Sequence, residues 1–397
     1  MKVKNALAVY LHIPFCRVRC PYCDFNTYSG MQSLVPAYVE ALCRVIAREG
    51  AASGLQAART VYFGGGTPSL LEPQHVARIL KAVDAVLPLT ADCEITLEAN
   101  PVTADAERFA GFRAAGVNRL SFGVQSLNDR LLKVLGRDHS AEQAKRGLLI
   151  ARQAGFENVS LDLMYAVPNQ SLADWQHDVE QALALAPEHL SLYCLTVEPT
   201  TPYARWVANG RIKLPADDIA ADMYASARER LAGAGYEHYE ISNWALPDKA
   251  GEHNSIYWRY EPYLGLGAGA HGYLDSVRTE EIRAPRTYIE RAFSGESTVL
   301  HQEDISQATA MEETVFLNLR LLQRGILRQE FAARFGVDPV ILFGEVVEDL
   351  TRANLICVDK NSIRLTSNGY FLANEVCVRL MTALESGMTT PVSVSSR

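Results

Sequence analysis

The stretch CRVRCPYC places cysteines at positions 16, 20 and 23. Steps of four and three would put all of them on one face of a helix. Pro14 and Pro21 argue against a helix, because proline in a helix interior removes a backbone hydrogen bond at a cost of about 3 kcal/mol. A loop after a strand is expected instead. Three thiolates gathered in a loop form a metal-ligand set, with Arg17 and Arg19 to offset their charge. Two chemistries fit. Zinc would need a fourth ligand from His12 or Asp24. An iron–sulfur cluster held by three cysteines instead of four keeps one iron open to an outside ligand.

Other polar residues recur at one kind of place. YFGGGTPS sets Gly64, Gly65, Gly66 and Thr67 directly after a strand, where glycine lets a ligand approach the backbone and exposed N–H and C=O groups can pair with a charged head group. The stretch lacks the Lys-Ser/Thr ending of a P-loop, which argues against a nucleoside triphosphate. Glu98 in LEANP, Gln125 in SFGVQS, Asp162 in LDLMY and Thr196 after LYCL fall at or near the C-terminal ends of further strands. Each alone reads as a cap for the following helix. Together they mark the rim where parallel α/β folds bind ligands.

The elements that must carry these residues show in the hydropathy pattern. From residue 7 to about 245, short β-branched or aromatic runs (ALAVYLHI, TVYF, EITL, RLSFG, VSLDLM, HLSLYCL and HYEIS) alternate with helical patterns such as PAYVEALCRVIARE and SLADWQHDVEQALALA. Ala115-Gly116, Ala154-Gly155 and Ala234-Gly235 each close a helical run before a strand, as a left-handed helix end requires. A single barrel-like or open parallel sheet follows. After residue 300 the alternation stops: TAMEETVFLNLRLLQ, RQEFAARFG and DPVILFGEVVEDLTRAN read as three helices, LICVDKNSIRLT as a hairpin and NEVCVRLM as a last helix. This is a winged-helix-like pattern, but residues 306 to 384 hold eight Lys or Arg against nine Asp or Glu, so no nucleic-acid footprint is expected.

Composition sets the limits. The chain has 397 residues, 48% of them apolar, and a formal charge of −8, which suits a large core and disfavours a nucleic-acid or anionic-membrane coat. No apolar run approaches the roughly 20 residues of a membrane span, and eight scattered cysteines do not look like a disulfide framework. A cytoplasmic location is expected.

YLHIPFCRVRCPYCDF, with C-x3-C-x2-C after a first strand, resembles the radical S-adenosylmethionine (SAM) superfamily. The resemblance implies that Cys16, Cys20 and Cys23 hold a [4Fe–4S] cluster, that SAM chelates the fourth iron, and that SAM can be cleaved reductively to a 5′-deoxyadenosyl radical. The implied fold is α/β: a partial (β/α)6 TIM-like barrel over residues 1–245, a linking segment over 246–300, a winged-helix-like domain over 301–384 and a disordered tail over 385–397. FGVQSLNDRLLKVLGRDHS, LDLMYAVPNQ and LTSNGYFLANEV carry the likeness into the coproporphyrinogen oxidase-like branch. By that likeness Tyr10 and Tyr22 lie against cluster and SAM. Gly65, Gly66 and Thr67 meet the amino acid end of SAM, and Glu98, Gln125, Arg137 and Asp162 surround the rest. Ala166 departs from the glycine usual in the family.

Two members of the branch are distinguishable. The oxygen-independent coproporphyrinogen oxidase carries a fourth cysteine, C-x3-C-x2-C-x-C, and a longer N-terminal segment; here Phe25 takes that place and nine residues precede Tyr10. HNSIYW, with His253, Asn254, Tyr257 and Trp258, resembles the H-N-x-x-Y-W motif of HemW-type heme chaperones, in which the histidine is implicated in holding heme. Imidazole is a common axial ligand and aromatic rings pack on a flat macrocycle. The expected function is a heme chaperone that passes heme to an acceptor protein, the alternative being an enzyme that uses the radical on a tetrapyrrole. The implied partners are heme, that acceptor and an electron donor such as a flavodoxin or ferredoxin, with no nucleic acid. A dimer and a transient membrane association stay open, as does a cofactor contact for His271 in the glycine-rich YLGLGAGAHG.

Overall fold

The computed structural model describes residues 6–388. The chain divides into two compact units. The first runs to Glu237 and takes in Ser242–His253 and Pro262–Glu303; the second comprises His238–Ile241, Asn254–Glu261 and the residues from Asp304 on.

In the first unit the expected βα alternation is complete. The strands are β1 (Ala6–Ile13), β2 (Phe15–Cys16), β3 (Tyr28–Ser29), β4 (Ala57–Gly65), β5 (Leu89–Ala99), β6 (Arg119–Gln125), β7 (Val159–Tyr165) and β8 (His189–Cys194). Between them lie α1 (Val35–Ala52), α2 (Pro73–Val86), α3 (Ala106–Ala115), α4 (Asp129–Val134), α5 (Ala141–Gln153) and α6 (Leu172–Ala184), with α7 (Pro202–Ala208) and α8 (Asp217–Gly233) after β8. Pro73 opens α2, where its missing N–H costs nothing. Ser140 and Ser171 start α5 and α6 with capping boxes to Gln143 and Asp174. Gly116, Gly155 and Gly235 all have positive φ (113°, 85° and 85°), as the repeated Ala-Gly pairs led one to expect.

β1 and β4 to β8 pair in parallel and in chain order. Their side chains alternate. Val9, Leu11, Val61, Phe63 and Leu97 are buried on the face turned to the helices, while Tyr10, His12, Thr60, Tyr62 and Glu98 share the other face. Residues 246–300 do more than link. After β9 (Glu237–Glu240) and β10 (Asn243–Ala245), the last antiparallel to β8, come β11 (Tyr263–Leu266), β12 (His271–Leu274), β13 (Val277–Glu281) and β14 (Val299–Asp304). β11 joins β1 in parallel, and β12, β13 and β14 extend the sheet beyond it.

The second unit contains helices Gln307–Asn318, Arg328–Phe335, Pro339–Phe343, Glu345–Arg352 and Ala373–Met388 around a sheet ordered β15 (Ile326–Leu327), β17 (Ser362–Leu365), β16 (Ile356–Val358). The hairpin of β16 and β17 is the one read from LICVDKNSIRLT. DPVILFGEVVEDLTRAN forms two helices, not one, because Gly344 breaks it with a φ of 45°. The last helix continues to Met388, through the first residues of the tail expected to be disordered; residues 389–397 lie outside the described residues. Among the described residues no helix is long and apolar enough to cross a membrane.

Candidate functional site

The cysteines do lie on a loop. Phe15 and Cys16 pair with Tyr28 and Ser29, which closes residues 17–27 into a loop beyond the end of β1. The Cys23 N–H donates to the Cys20 carbonyl at 3.1 Å, and Tyr203 on α7 braces the loop by donating its N–H to the Pro21 carbonyl at 3.2 Å. Tyr22 packs edge-on against Tyr203 and on the apolar cluster of Leu131, Leu135, Met164 and Leu195. Among the described residues no three His, Cys, Asp or Glu side chains form a cage for a single metal ion. Two of the three sulfurs have a side-chain donor: Thr67 Oγ1 donates to Cys16 Sγ at 3.6 Å, and Arg137 Nη1 to Cys20 Sγ at 3.5 Å. Burial, and then the charge of the sister cysteines, raise the thiol pKa values of Cys16 and Cys23.

The GGGT strap folds back onto this loop. Gly66 and Thr67 donate their N–H groups to the carbonyls of Ile13 and Phe15, both at 2.8 Å. Gly65 has a φ of 108°, and a Cβ there would lie 2.5 Å from the His12 ring; one on Gly66 would lie 2.6 Å from the Phe15 carbonyl oxygen. Only glycine permits this approach.

Around the strap the expected rim residues assemble. Glu98 accepts from Tyr62 Oη at 2.8 Å and from the Gly65 N–H at 3.1 Å. Burial pushes its carboxyl up to about 7, and the charge of Asp162 acts in the same direction. Asp162 accepts from Ser121 Oγ at 3.1 and 3.2 Å; burial also raises its pKa. Gln125 takes a φ of 67° at the end of β6, where the register with β7 slips between Gly123 and Gln125. Arg137 Nη2 donates to the Gly123 carbonyl at 2.6 Å, while its Nε is buried with no hydrogen-bond partner among the described residues. Tyr10 Oη lies 3.0 Å from His12 Nδ1, and His12 Nε2 lies 3.0 Å from the Asn26 carbonyl oxygen. Thr196 is exposed just beyond β8. His271 is exposed on β12, opposite Glu280.

His253 is placed differently from a heme ligand held open to solvent. It is 1% exposed, on the inner face of the sheet, with Nδ1 2.8 Å from Thr60 Oγ1 and its ring stacked on Tyr62 at 4.9 Å. Burial lowers its pKa to about 3, and the charges of Arg119 and Arg59 add to that. An imidazole so enclosed has no ring edge open to solvent in this conformation. The rest of the motif lies in the second unit, where the Arg320 guanidinium stacks 4.3 Å from the Trp258 ring and Asn318 Nδ2 donates to the Trp258 carbonyl at 3.0 Å.

Several contributors escaped the sequence reading: Asn26, Thr60, Tyr62 and Tyr203, while His12 enters it only as a zinc ligand. Tyr62 had a signal, since it stands two residues before Gly64 in a strand and so shares the face of the strap. Asn26, which bridges to the carbonyls of Ala268 and Arg283 at 2.8 and 3.0 Å, had none.

A model of the radical SAM superfamily matches residues 10–182, and one of the HemN C-terminal domain matches residues 305–372. The sequence is 37% identical over 370 residues to the heme chaperone HemW of Bacillus subtilis (strain 168), covering 93% of this chain and 97% of that protein. It is 38% identical over 373 residues to the HemW of Escherichia coli (strain K12), again covering 93% and 97%. The chain belongs to the HemW family. A mouse relative, radical S-adenosyl methionine domain-containing protein 1, mitochondrial, is 35% identical over 409 residues, covering 97% of this chain and 90% of that one. The fold is also that of coproporphyrinogen III oxidase (HemN) from Escherichia coli, with a TM-score of 0.82 over 95% of this chain and 90% of that one at 22% identity.

As a radical SAM protein the chain uses a [4Fe–4S] cluster and SAM. The residues present fit that pair. Two of the three thiols face a hydroxyl or guanidinium donor, the strap has no room for a Cβ, and a buried guanidinium N–H waits for an acceptor.

Proposed function

We propose that this protein is a heme chaperone: it binds heme and delivers it to an acceptor protein, on a scaffold that holds a [4Fe–4S] cluster and SAM. The observation that carries the reading is the match to HemW proteins at 33–41% identity, which runs over both units in the Bacillus and Escherichia relatives. Phe25, standing where the oxidase has its fourth cysteine, favours it over the enzymatic alternative.

In this reading Cys16, Cys20 and Cys23 ligate the cluster, which supplies the electron for SAM chemistry when both are bound. Arg137 balances the Cys20 thiolate and offers its buried Nε to a carboxylate. Glu98 faces a cationic group of SAM while Tyr62 and Gly65 hold its carboxyl in place. Gly65, Gly66 and Thr67 line the amino acid end; Gln125 and Asp162 suit ribose hydroxyls. Tyr10, Tyr22 and Thr196 complete the surround. The electron donor is a flavodoxin or ferredoxin, and the compartment is the cytoplasm, in keeping with eight free cysteines. A dimer and a transient hold on membrane belong to the same reading and are tested by sedimentation alone and with vesicles.

The deciding experiment is anaerobic. Reconstituted protein is titrated with heme and separately incubated with coproporphyrinogen III, SAM and reductant. Saturable heme binding with transfer to an apo-hemoprotein, and no protoporphyrinogen IX, is expected. Turnover of coproporphyrinogen would replace this reading with the enzymatic one.

A further inference from the structure

A continuous set of contacts runs from His253 to the glycine strap. Glu94 on β5 accepts the backbone N–H groups of Glu252 and His253 at 3.1 and 3.0 Å, which clamps the first turn of the short helix Glu252–Trp258 to the sheet. His253 Nδ1 is fixed on Thr60, and its ring stacks on Tyr62 with 26° between the planes. Tyr10 closes the group, with ring centres 6.2 Å from Tyr62 and 6.5 Å from His253. Tyr62 then donates to one oxygen of Glu98, whose other oxygen accepts from Gly65.

We propose that His253 is a positioning residue for SAM: by supporting the face of Tyr62 it keeps the tyrosine hydroxyl on Glu98 and the Glu98 carboxylate aimed at the strap. This rests on the reading that Glu98 faces SAM. It gives the histidine of the H-N-x-x-Y-W motif a task inside the barrel that does not require contact with heme. Without His253 the space under Tyr62 opens, the ring can drop, and Glu98 loses the donor that favours its charged form. The ionisable groups facing Glu98 are Tyr62 and Tyr10 from β4 and β1, and Asp162 from β7; none replaces that donor.

The test is equilibrium dialysis of SAM against anaerobically reconstituted protein between pH 6 and 8.5. The variants are Glu98→Gln, Tyr62→Phe, His253→Ala and the double variant Tyr62→Phe/His253→Ala. His253→Ala is expected to weaken SAM binding about tenfold at pH 7, the worth of one hydrogen bond to a charged group. The pH midpoint of binding should rise, Tyr62→Phe should do the same, and the double variant should be no worse than either. A merely structural loss would lower the bindable fraction without moving the midpoint. If Glu98→Gln weakens binding but His253→Ala keeps wild-type affinity and midpoint, or if the two single losses add, the proposal is wrong. Unchanged binding in Glu98→Gln would remove the SAM reading of Glu98 and the proposal with it. Should His253→Ala fail to assemble its cluster, Thr60→Val, which frees the imidazole without emptying its place, carries the same expectation.

Discussion

Replacing Arg137 by lysine keeps a positive charge and removes a shape. The guanidinium donates at once to the Gly123 carbonyl at 2.6 Å and to Cys20 Sγ at 3.5 Å, and its buried Nε still lacks an acceptor among the described residues. A lysine ammonium on a flexible stem can reach one of these points, not all three in a rigid fork. The short bond to the Gly123 carbonyl, at 2.6 Å against 3.5 Å to Cys20 Sγ, is the one it would keep. The contacts surrendered are the one to Cys20 Sγ and the Nε–H that the proposed reading aims at a carboxylate of SAM, the latter a charge-assisted hydrogen bond of about 1.5 to 3 kcal/mol. That corresponds to a loss of SAM affinity of roughly 10-fold to 150-fold. Iron and sulfide content should stay at the wild-type level, because the three cysteines remain. The assay is SAM dialysis paired with metal analysis on the same anaerobic preparation. Affinity within twofold of wild type would show that the orphaned N–H is not aimed at SAM, and the assignment of the cradle would have to be rebuilt.

The same geometry yields further expectations. Cys20→Ser should abolish the broad visible absorption of the cluster and its iron content while the apoprotein still folds, as read by circular dichroism. Glu98 has a folded pKa of about 7 against an ordinary 4.5, so its contribution to stability is greatest at low pH and is lost as pH rises through 7; Glu98→Gln should flatten the difference in SAM-free melting temperature between pH 5 and pH 8. Ala166→Gly should change stability by less than about 1 kcal/mol, since relief of a left-handed φ of 58° is offset by lost methyl burial and greater chain entropy, and melting temperatures should nearly coincide. His253→Ala should keep the heme stoichiometry and Soret position of the wild type in a titration, whereas a shift to a spectrum without imidazole ligation would return the ligand role to His253.

What was legible in the sequence follows from how local the signal was. The strand ALAVYLHI, the capped helices and the Ala-Gly helix ends depend on neighbours in the chain and were found where the residues predicted them. The cysteine loop was legible because two prolines forbid the helix that the spacing would otherwise allow. β11 to β13 were not, because their strands are only four or five residues long and two of them carry a glycine; β11 exists through pairing with β1, more than 250 residues away, and β12 and β13 build out from it. The break at Gly344 was hidden inside an apolar periodicity that continues on both sides. Within the site, the residues at strand ends could be named one by one. Their second partners, Tyr62 for Glu98 and Ser121 for Asp162, come from adjacent strands whose register the sequence does not state.

The placement of His253 has an energetic consequence for how heme could be held. If that imidazole reaches an iron by release of the first turn of Glu252–Trp258, two backbone hydrogen bonds to the Glu94 carboxylate break and the ring leaves Thr60 and Tyr62. At about 1.5 to 3 kcal/mol for each hydrogen bond to a charged group, the two bonds to Glu94 alone set a cost of about 3 to 6 kcal/mol. Heme bound through His253 would be weakened by the corresponding factor, of the order of 10² to 10⁴, relative to an open site of the same chemistry. The opening would also release Tyr62 from beneath and disturb Glu98, so heme on His253 and SAM on Glu98 would oppose each other. Heme titration of the wild type with and without saturating SAM, and of His253→Ala, measures that opposition: an unchanged heme affinity with SAM present would refute it.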